Sequence, residues 1–127
     1  MENDQCRICR KLGTKLFLKG QRCFGPKCAV VRKPYRPGEK SKKSGKGGAS
    51  EYGKELAEKQ KLKNWYNLRE RQFSAYVKKA IAGKSKKKGE DAGTLLMRSL
   101  EMRLDNVVFR LGFADSRRQA RDRKSVV

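Results

Sequence analysis

The chain has 127 residues, 36% of them hydrophobic and 37% charged, and its 34 Lys and Arg against 13 Asp and Glu leave a net charge of +21 with a pI near 10.3. A domain of this size buries roughly 60–70% of its unfolded surface, so the apolar contacts must be concentrated in a few segments. Self-repulsion on this scale calls for a polyanionic partner, and a membrane surface is disfavoured because there is no long apolar run, no signal-peptide pattern and no basic amphipathic stretch with a wide apolar face.

The charge is spread along the chain, with 14 basic and 3 acidic residues in 1–50 and 20 and 10 in 51–127. Both halves are therefore expected to touch the polyanion. A neutral domain tethered by one basic tail would look different.

The four cysteines stand as Cys6-x-x-Cys9 and Cys23-x-x-x-x-Cys28. Two close pairs joined by a basic spacer suit a tetrahedral metal site, each pair supplying two ligands from one tight turn. Disulfides are the competing use, but the absence of a signal peptide favours reduced thiols. There is no histidine, so the site is all-thiolate, which favours zinc and leaves an iron–sulfur cluster as the alternative. Four thiolates around a divalent zinc carry a formal charge of −2, which Arg7, Arg10, Lys11, Arg22 and Lys27 are placed to offset. With no open coordination position the metal would be structural. Gly25-Pro26 marks the turn between Cys23 and Cys28.

From Arg32 to Ser50 the composition becomes basic and rich in Gly, Pro and Ser. This reads either as a solvated linker or as an arm that orders on phosphates, with Tyr35 available to stack on a base. Ser50 is placed to cap a helix over 51–66 with Tyr52, Leu56, Leu62, Trp65 and Tyr66 on its apolar side. A second helix is expected over 68–82, its buried stripe formed by Phe73, Tyr76, Val77, Ala80 and Ile81, with Gly83 at its end. Lys84 to Gly89 reads as a basic loop. Leu96, Leu100 and Leu104 then recur every four residues from Ala92 and continue into Val107, Val108 and Leu111. One long helix and two successive ones both fit, since Asp105 or Asn106 can start a new turn. Gly112 ends this segment, with Phe113 expected to fold back as an apolar contact. Ser116 and Gln119 form a capping box for a further helix.

Several of these stretches resemble one family. Cys6-Arg-Ile-Cys9-Arg, Leu16-Phe-Leu-Lys-Gly20, Arg22-Cys23, Pro26-Lys-Cys28-Ala and Lys33-Pro34-Tyr35-Arg36-Pro37-Gly38 are similar to the amino-terminal metal knuckle and following segment of the bacterial small-subunit ribosomal protein S four family, in its zinc-containing form. Glu58-Lys-Gln-Lys-Leu62 and Glu70-Arg-Gln-Phe73 resemble its helical region. Arg103-Leu-Asp-Asn-Val-Val-Phe-Arg-Leu-Gly-Phe-Ala114 and Ser116-Arg-Arg-Gln-Ala-Arg121 resemble the start of its RNA-binding domain. The resemblance implies a mainly α chain: a zinc-binding knuckle (1–32), a basic flexible arm (33–50), a helical region (51–101) and the opening of an RNA-binding domain (102–127) that in the full family is α+β.

Two departures stand out. In the family the helix after Ser116 leads into strands, whereas here Asp122-Arg-Lys-Ser-Val-Val follows; the expectation is a chain cut short, with a final hexapeptide of the kind a sequencing adapter encodes. Arg69 stands where the family has a capping serine, leaving Asn67 to cap that helix.

The resemblance also implies a structural constituent of the cytoplasmic ribosome that binds small-subunit RNA early in assembly, beside neighbouring small-subunit proteins. A zinc-dependent regulator binding DNA or messenger RNA, including its own message, is the alternative. An enzyme is not expected, for want of an open metal position, a histidine or paired carboxylates in an apolar setting, and no small-molecule substrate is expected. The candidate RNA contacts are Arg7, Arg10, Lys11 and Lys27 in the knuckle, Lys59, Lys63, Arg69 and Arg71 in the helices, and Arg103, Asn106, Arg110, Arg117, Arg118 and Arg121 in the final motif. Each is also readable as a solvated charge or intrahelical ion pair. Leu104, Val107, Val108 and Leu111 are assigned to packing.

Overall fold

The structure is a computed structural model and describes residues 4–38, 50–86 and 91–123. Most of the expected lysine-rich arm, residues 87–90 of the expected basic loop and Lys124 to Val127 of the final hexapeptide lie outside the described residues. Those described are mainly helical and contain no strand. The helices are α1 (Asp4–Leu12), α2 (Ala29–Arg32), α3 (Glu51–Trp65), α4 (Glu70–Lys86), α5 (Ala92–Glu101), α6 (Leu104–Arg110) and α7 (Arg117–Arg123), with a 3₁₀ turn at Gly20–Cys23. The chain separates into two compact units, Met1–Trp65 and Tyr66–Val127. This grouping joins the first long helix to the cysteine segment.

In the first unit, α1 starts with an acidic residue, Asp4, and ends with Arg10 and Lys11, an arrangement that complements the helix dipole. It stops at Gly13, whose φ of +68° few other residues adopt readily. The amide of Gly13 donates to the Arg10 carbonyl and that of Thr14 to the Cys9 carbonyl, closing a Schellman motif. The CxxC pair thus sits on a helix, where the sequence suggested a tight turn; a spacing of three places both cysteines on one face. Of the hydrophobic side chains in this unit only Cys9, Leu16 and Cys28 are buried among the described residues.

Ser50 caps α3 as expected, its Oγ accepting from the Gly53 amide at 3.2 Å. The expected apolar side of α3 is covered only in part: Tyr52 is 73% exposed and Leu56 and Trp65 are exposed, whereas Leu62 is half-buried and Tyr66, just past the helix, is buried. The face turned toward α1 carries Leu56 beside Gly53, Ala57, Gln60 and Asn64, most of them too small or too polar to build a core.

In the second unit α4 packs on α5 and α6 on α7. Phe73 and Ala80 are buried and Tyr76 and Val77 half-buried, but Ile81 is 61% exposed, so the stripe fades toward the end of α4. Gly83 does not stop the helix, which runs on to Lys86 and takes in the start of the expected basic loop. At Gly83 an added Cβ would stand 3.4 Å from Leu95 Cδ1, an ordinary contact on the side where α5 packs. Asn67 does not cap α4; it sits two residues before Arg69 with φ +52°. Arg69 occupies the cap, its carbonyl accepting from Phe73 and its amide donating to Gln72 Oε1.

The leucine-rich stretch resolves into two helices. Asp91 caps α5 by accepting from Gly93, and Arg103 is extended, at φ −68° and ψ 136°. The break is held open by Asn106, whose Nδ2 donates to the Glu101 carbonyl at 3.0 Å and so satisfies an end group of α5. Leu100 is completely buried, whereas Leu104, Val107 and Leu111 are exposed and Val108 is half-buried, so the packing role assigned to that row is only partly filled. Gly112, at φ +80°, closes a second Schellman motif, but Phe113 beyond it is 66% exposed instead of folding back.

Candidate nucleic-acid interface

The four cysteines converge. Cys6 and Cys9 project from α1, Cys23 ends the 3₁₀ turn, and Cys28 immediately precedes α2. All four line one small cavity together with Lys19, Arg22 and Leu18. The Gly25-Pro26 turn operates as expected, with the Cys28 amide donating to the Gly25 carbonyl. Burial pushes the Cys9 thiol up, as does the proximity of Cys23, Cys6 and Cys28, while a backbone hydrogen bond from Leu16 works in the other direction. No disulfide joins them. As placed, no three His, Cys, Asp or Glu side chains among the described residues stand close enough together to hold a metal ion. The cluster is a gathered set of thiols with two cations beside it; Lys19 was not among the cations singled out in the sequence.

The candidate RNA-binding cations divide into two groups. One group points inward. Arg10 is 6% exposed; its Nε donates to the Tyr35 carbonyl at 3.1 Å, and its guanidinium lies 4.9 Å from the Tyr35 ring centroid. This contact occupies one face of a tyrosine that was expected to be available for stacking.

In the second unit a polar hub forms around Asp105 and Asn106, both buried. Arg103 clasps Asp105 through Nε and Nη2 at 3.1 and 2.8 Å and donates to Tyr76 Oη. Arg121 also binds Asp105, through Nε and Nη2, and donates to the Asn67 carbonyl at 3.0 Å. Arg117, 8% exposed, donates to Asn106 Oδ1 and lies over the rings of Tyr66 and Phe109. Asn106 donates in turn to Glu101, which also accepts from Tyr66 Oη and from Arg110 at 3.2 Å.

The charges respond to this arrangement. Burial works to raise the Asp105 carboxyl, but the hydrogen bonds from Arg103 and Arg121 prevail and hold it low. Arg103 is pushed up by its bonds to Asp105. Glu101 is held low, chiefly by the Tyr66 hydroxyl, and burial together with that bond pushes Tyr66 up to about 12. Arg117 is pulled down by burial.

The other group faces solvent. Arg7, Lys11, Lys27, Lys59, Arg69, Arg71, Arg110 and Arg118 are exposed and Lys63 is half-buried. Arg7 makes a long, exposed ion pair with Asp4, at 3.9 Å, of a kind worth little in water. On α4, Arg71 and Lys78 are seven residues apart and share the face opposite Phe73 and Ala80, with Ala75 and Ala82 on the same side. Lys79 flanks them. Lys78 and Lys79 were not singled out in the sequence, although their place opposite the buried stripe was a usable signal. Ala75, between Arg71 and Lys78, leaves room for a phosphate backbone to come close.

The capping box of α7 is formed with a shift. Ser116 Oγ accepts from Gln119, whose side chain accepts from the amide of Asp115, one residue earlier than the usual partner. No helix among the described residues is long and apolar enough to cross a membrane.

The family model described as ribosomal protein S4/S9 N-terminal domain matches residues 1–101, and that of the S4 domain matches residues 102–123. The division falls at the break between α5 and α6. The small ribosomal subunit protein uS4 of Syntrophus aciditrophicus is 55% identical over 120 residues, covering 94% of this chain and 54% of the relative. That of Thermus thermophilus is 53% identical over 116 residues, covering 91% and 53%, and that of Kosmotoga olearia is 49% identical over 116 residues, covering 91% and 52%. The chain spans about half the length of the curated relatives it matches. It belongs to the ribosomal protein S4 family.

Proposed function

We propose that the chain is a structural component of the small ribosomal subunit that binds its ribosomal RNA directly, early in assembly, in the cytoplasm and beside other small-subunit proteins. The observation that carries this reading is the family match over residues 1–123 in a chain of net charge +21. Affinity comes from exposed Lys and Arg displacing counterions, and selectivity from the fit of a rigid frame to folded RNA. Arg7, Lys11, Lys27, Lys59, Lys63, Arg69, Arg71, Arg110 and Arg118 are the contact candidates that keep solvent access. Arg103, Asn106, Arg117 and Arg121 act by holding the second unit together, and Arg10 by fixing Tyr35.

Cys6, Cys9, Cys23 and Cys28 would hold one zinc ion. The donor set suits zinc, four thiols lining one cavity with Lys19 and Arg22 beside them; the thiols would have to draw together around the ion, which would supply stability to a unit whose apolar core is very small. With all four ligands from protein it does no chemistry on a substrate. No described feature favours a regulator of its own message over this reading.

Filter binding to small-subunit ribosomal RNA and to duplex DNA, each over a range of salt, tests it. Tighter binding to the ribosomal RNA, weakening steeply with salt, is expected. Equal affinity for the two polyanions at every salt concentration overturns it.

A further inference from the structure

Between α1 and α3 the first unit carries a cleft of about 650 Å³ that the contacts above do not use. We propose that it receives one unpaired nucleotide of the bound RNA, an inference that rests on the RNA-binding reading. The volume lies within the roughly 300–1,000 Å³ of pockets that enclose small ligands.

The lining divides by chemistry. Ile8 and Leu12 from α1 and Leu56 from α3 supply apolar walls for the face of a base or sugar. Lys11 and Arg36, both exposed, bring cations to the cleft, and among the described residues no acidic side chain lines it. Gln60 and Asn64, one turn apart on α3 and half-buried, add two amides. An amide both donates and accepts, so the pair matches the mixed edge of a nucleobase and tolerates more than one base. The cations then take the phosphate. An apolar peptide would leave the amides and cations unmatched, and a free anion would use only the cations.

The position of Arg36 is built into the fold. Arg10 binds the carbonyl of the preceding residue, Tyr35, at 3.1 Å and covers its ring. The buried arginine thereby carries its neighbour Lys11 and the following Arg36 to the same cleft, which gives a positioning role to a cation that does not itself reach solvent.

The test has two arms. In the first, amide spectra of the full chain are followed on adding each nucleoside 5′-monophosphate or inorganic phosphate. The nucleotides are expected to move the side-chain amide signals of Gln60 and Asn64, and phosphate alone to move only signals near Lys11 and Arg36. In the second, the Gln60→Ala/Asn64→Ala variant is expected to bind small-subunit ribosomal RNA about tenfold more weakly, the loss of two neutral hydrogen bonds, with its salt slope unchanged because no phosphate contact is lost. Ala57→Met fills the cleft without removing either amide and is expected to weaken binding likewise. Phosphate moving the side-chain amides as nucleotides do, no movement with either, or full affinity in both variants overturns the cleft assignment while leaving RNA binding intact. Failure of the unaltered chain to bind the RNA removes both readings.

Discussion

Arg121 reaches from α7 to Asp105 on α6, its Nη2 2.7 Å from the carboxylate, and so joins two helices through a charge that is almost wholly out of water. A buried carboxylate with two guanidinium partners loses heavily when its charge is removed, because both cations are left without an anion. Asp105→Asn is expected to destabilise the second unit by about 3 kcal/mol. Denaturant unfolding followed by circular dichroism checks this, and an unchanged midpoint would sink the idea that the hub holds the unit together.

Stability should fall at both ends of the pH scale, for opposite reasons. Asp105 and Glu101 are held below their ordinary values of 3.8 and 4.5, so their contribution is full above those values and is lost as pH falls through the lowered ones. Tyr66 is raised from 10 to about 12, so its contribution is full below pH 10 and is lost as pH rises through about 12. Phenolate absorbance should show one tyrosine ionising near 12, and Tyr66→Phe should abolish that late step. Persistence of the step in the variant would assign it elsewhere.

Cys9→Ser is expected to release zinc from anaerobically purified protein and to collapse the amide spectrum of residues 4–32. Structural zinc contributes on the order of 10 kcal/mol to small modules, and the buried hydrophobics of this unit are Cys9, Leu16 and Cys28 among the described residues. Metal analysis with the spectrum decides the matter. A chain that carries no zinc, or a variant whose spectrum is unmoved, would contradict the proposal.

Neighbouring arginines on α7 should behave differently. Arg118→Ala is expected to weaken binding to ribosomal RNA and lower the salt slope by about one unit without changing stability, as are Arg71→Ala and Lys78→Ala on α4. Arg117→Ala should instead cost about 2 kcal/mol of stability, because Asn106 Oδ1 is left buried without its donor. Salt-dependent filter binding beside thermal unfolding separates the two effects. A slope change for Arg117→Ala in a fully stable protein would mean that it too reaches a phosphate.

Where the signals were local, the sequence could be read closely. Ser50 caps α3, Ser116 and Gln119 open α7, and Gly112 ends α6, because each depends on groups within a few residues along the chain. Gly83 misled because a glycine marks a helix end by taking a left-handed φ, as Gly13 and Gly112 do, whereas Gly83 keeps a helical conformation within α4. The break between α5 and α6 stayed open because Asn106 chooses its partner from the end of the preceding helix, which a repeat of leucines does not reveal.

The sequence alone determined the starts of α3, α5 and α7, the pairing of cysteine spacings and the family resemblance, and its charge motivates the proposed polyanionic partner, all through residue type and short-range order. Only the tertiary structure decided which cations stay exposed for the proposed RNA contacts. Arg10, Arg103, Arg117 and Arg121 read like their neighbours, yet each is claimed by an internal acceptor or ring, for Arg121 as far as 54 residues away in the chain. A guanidinium is recruited inward wherever folding brings a carboxylate, carbonyl or aromatic face within reach, and that proximity is a property of the packed helices.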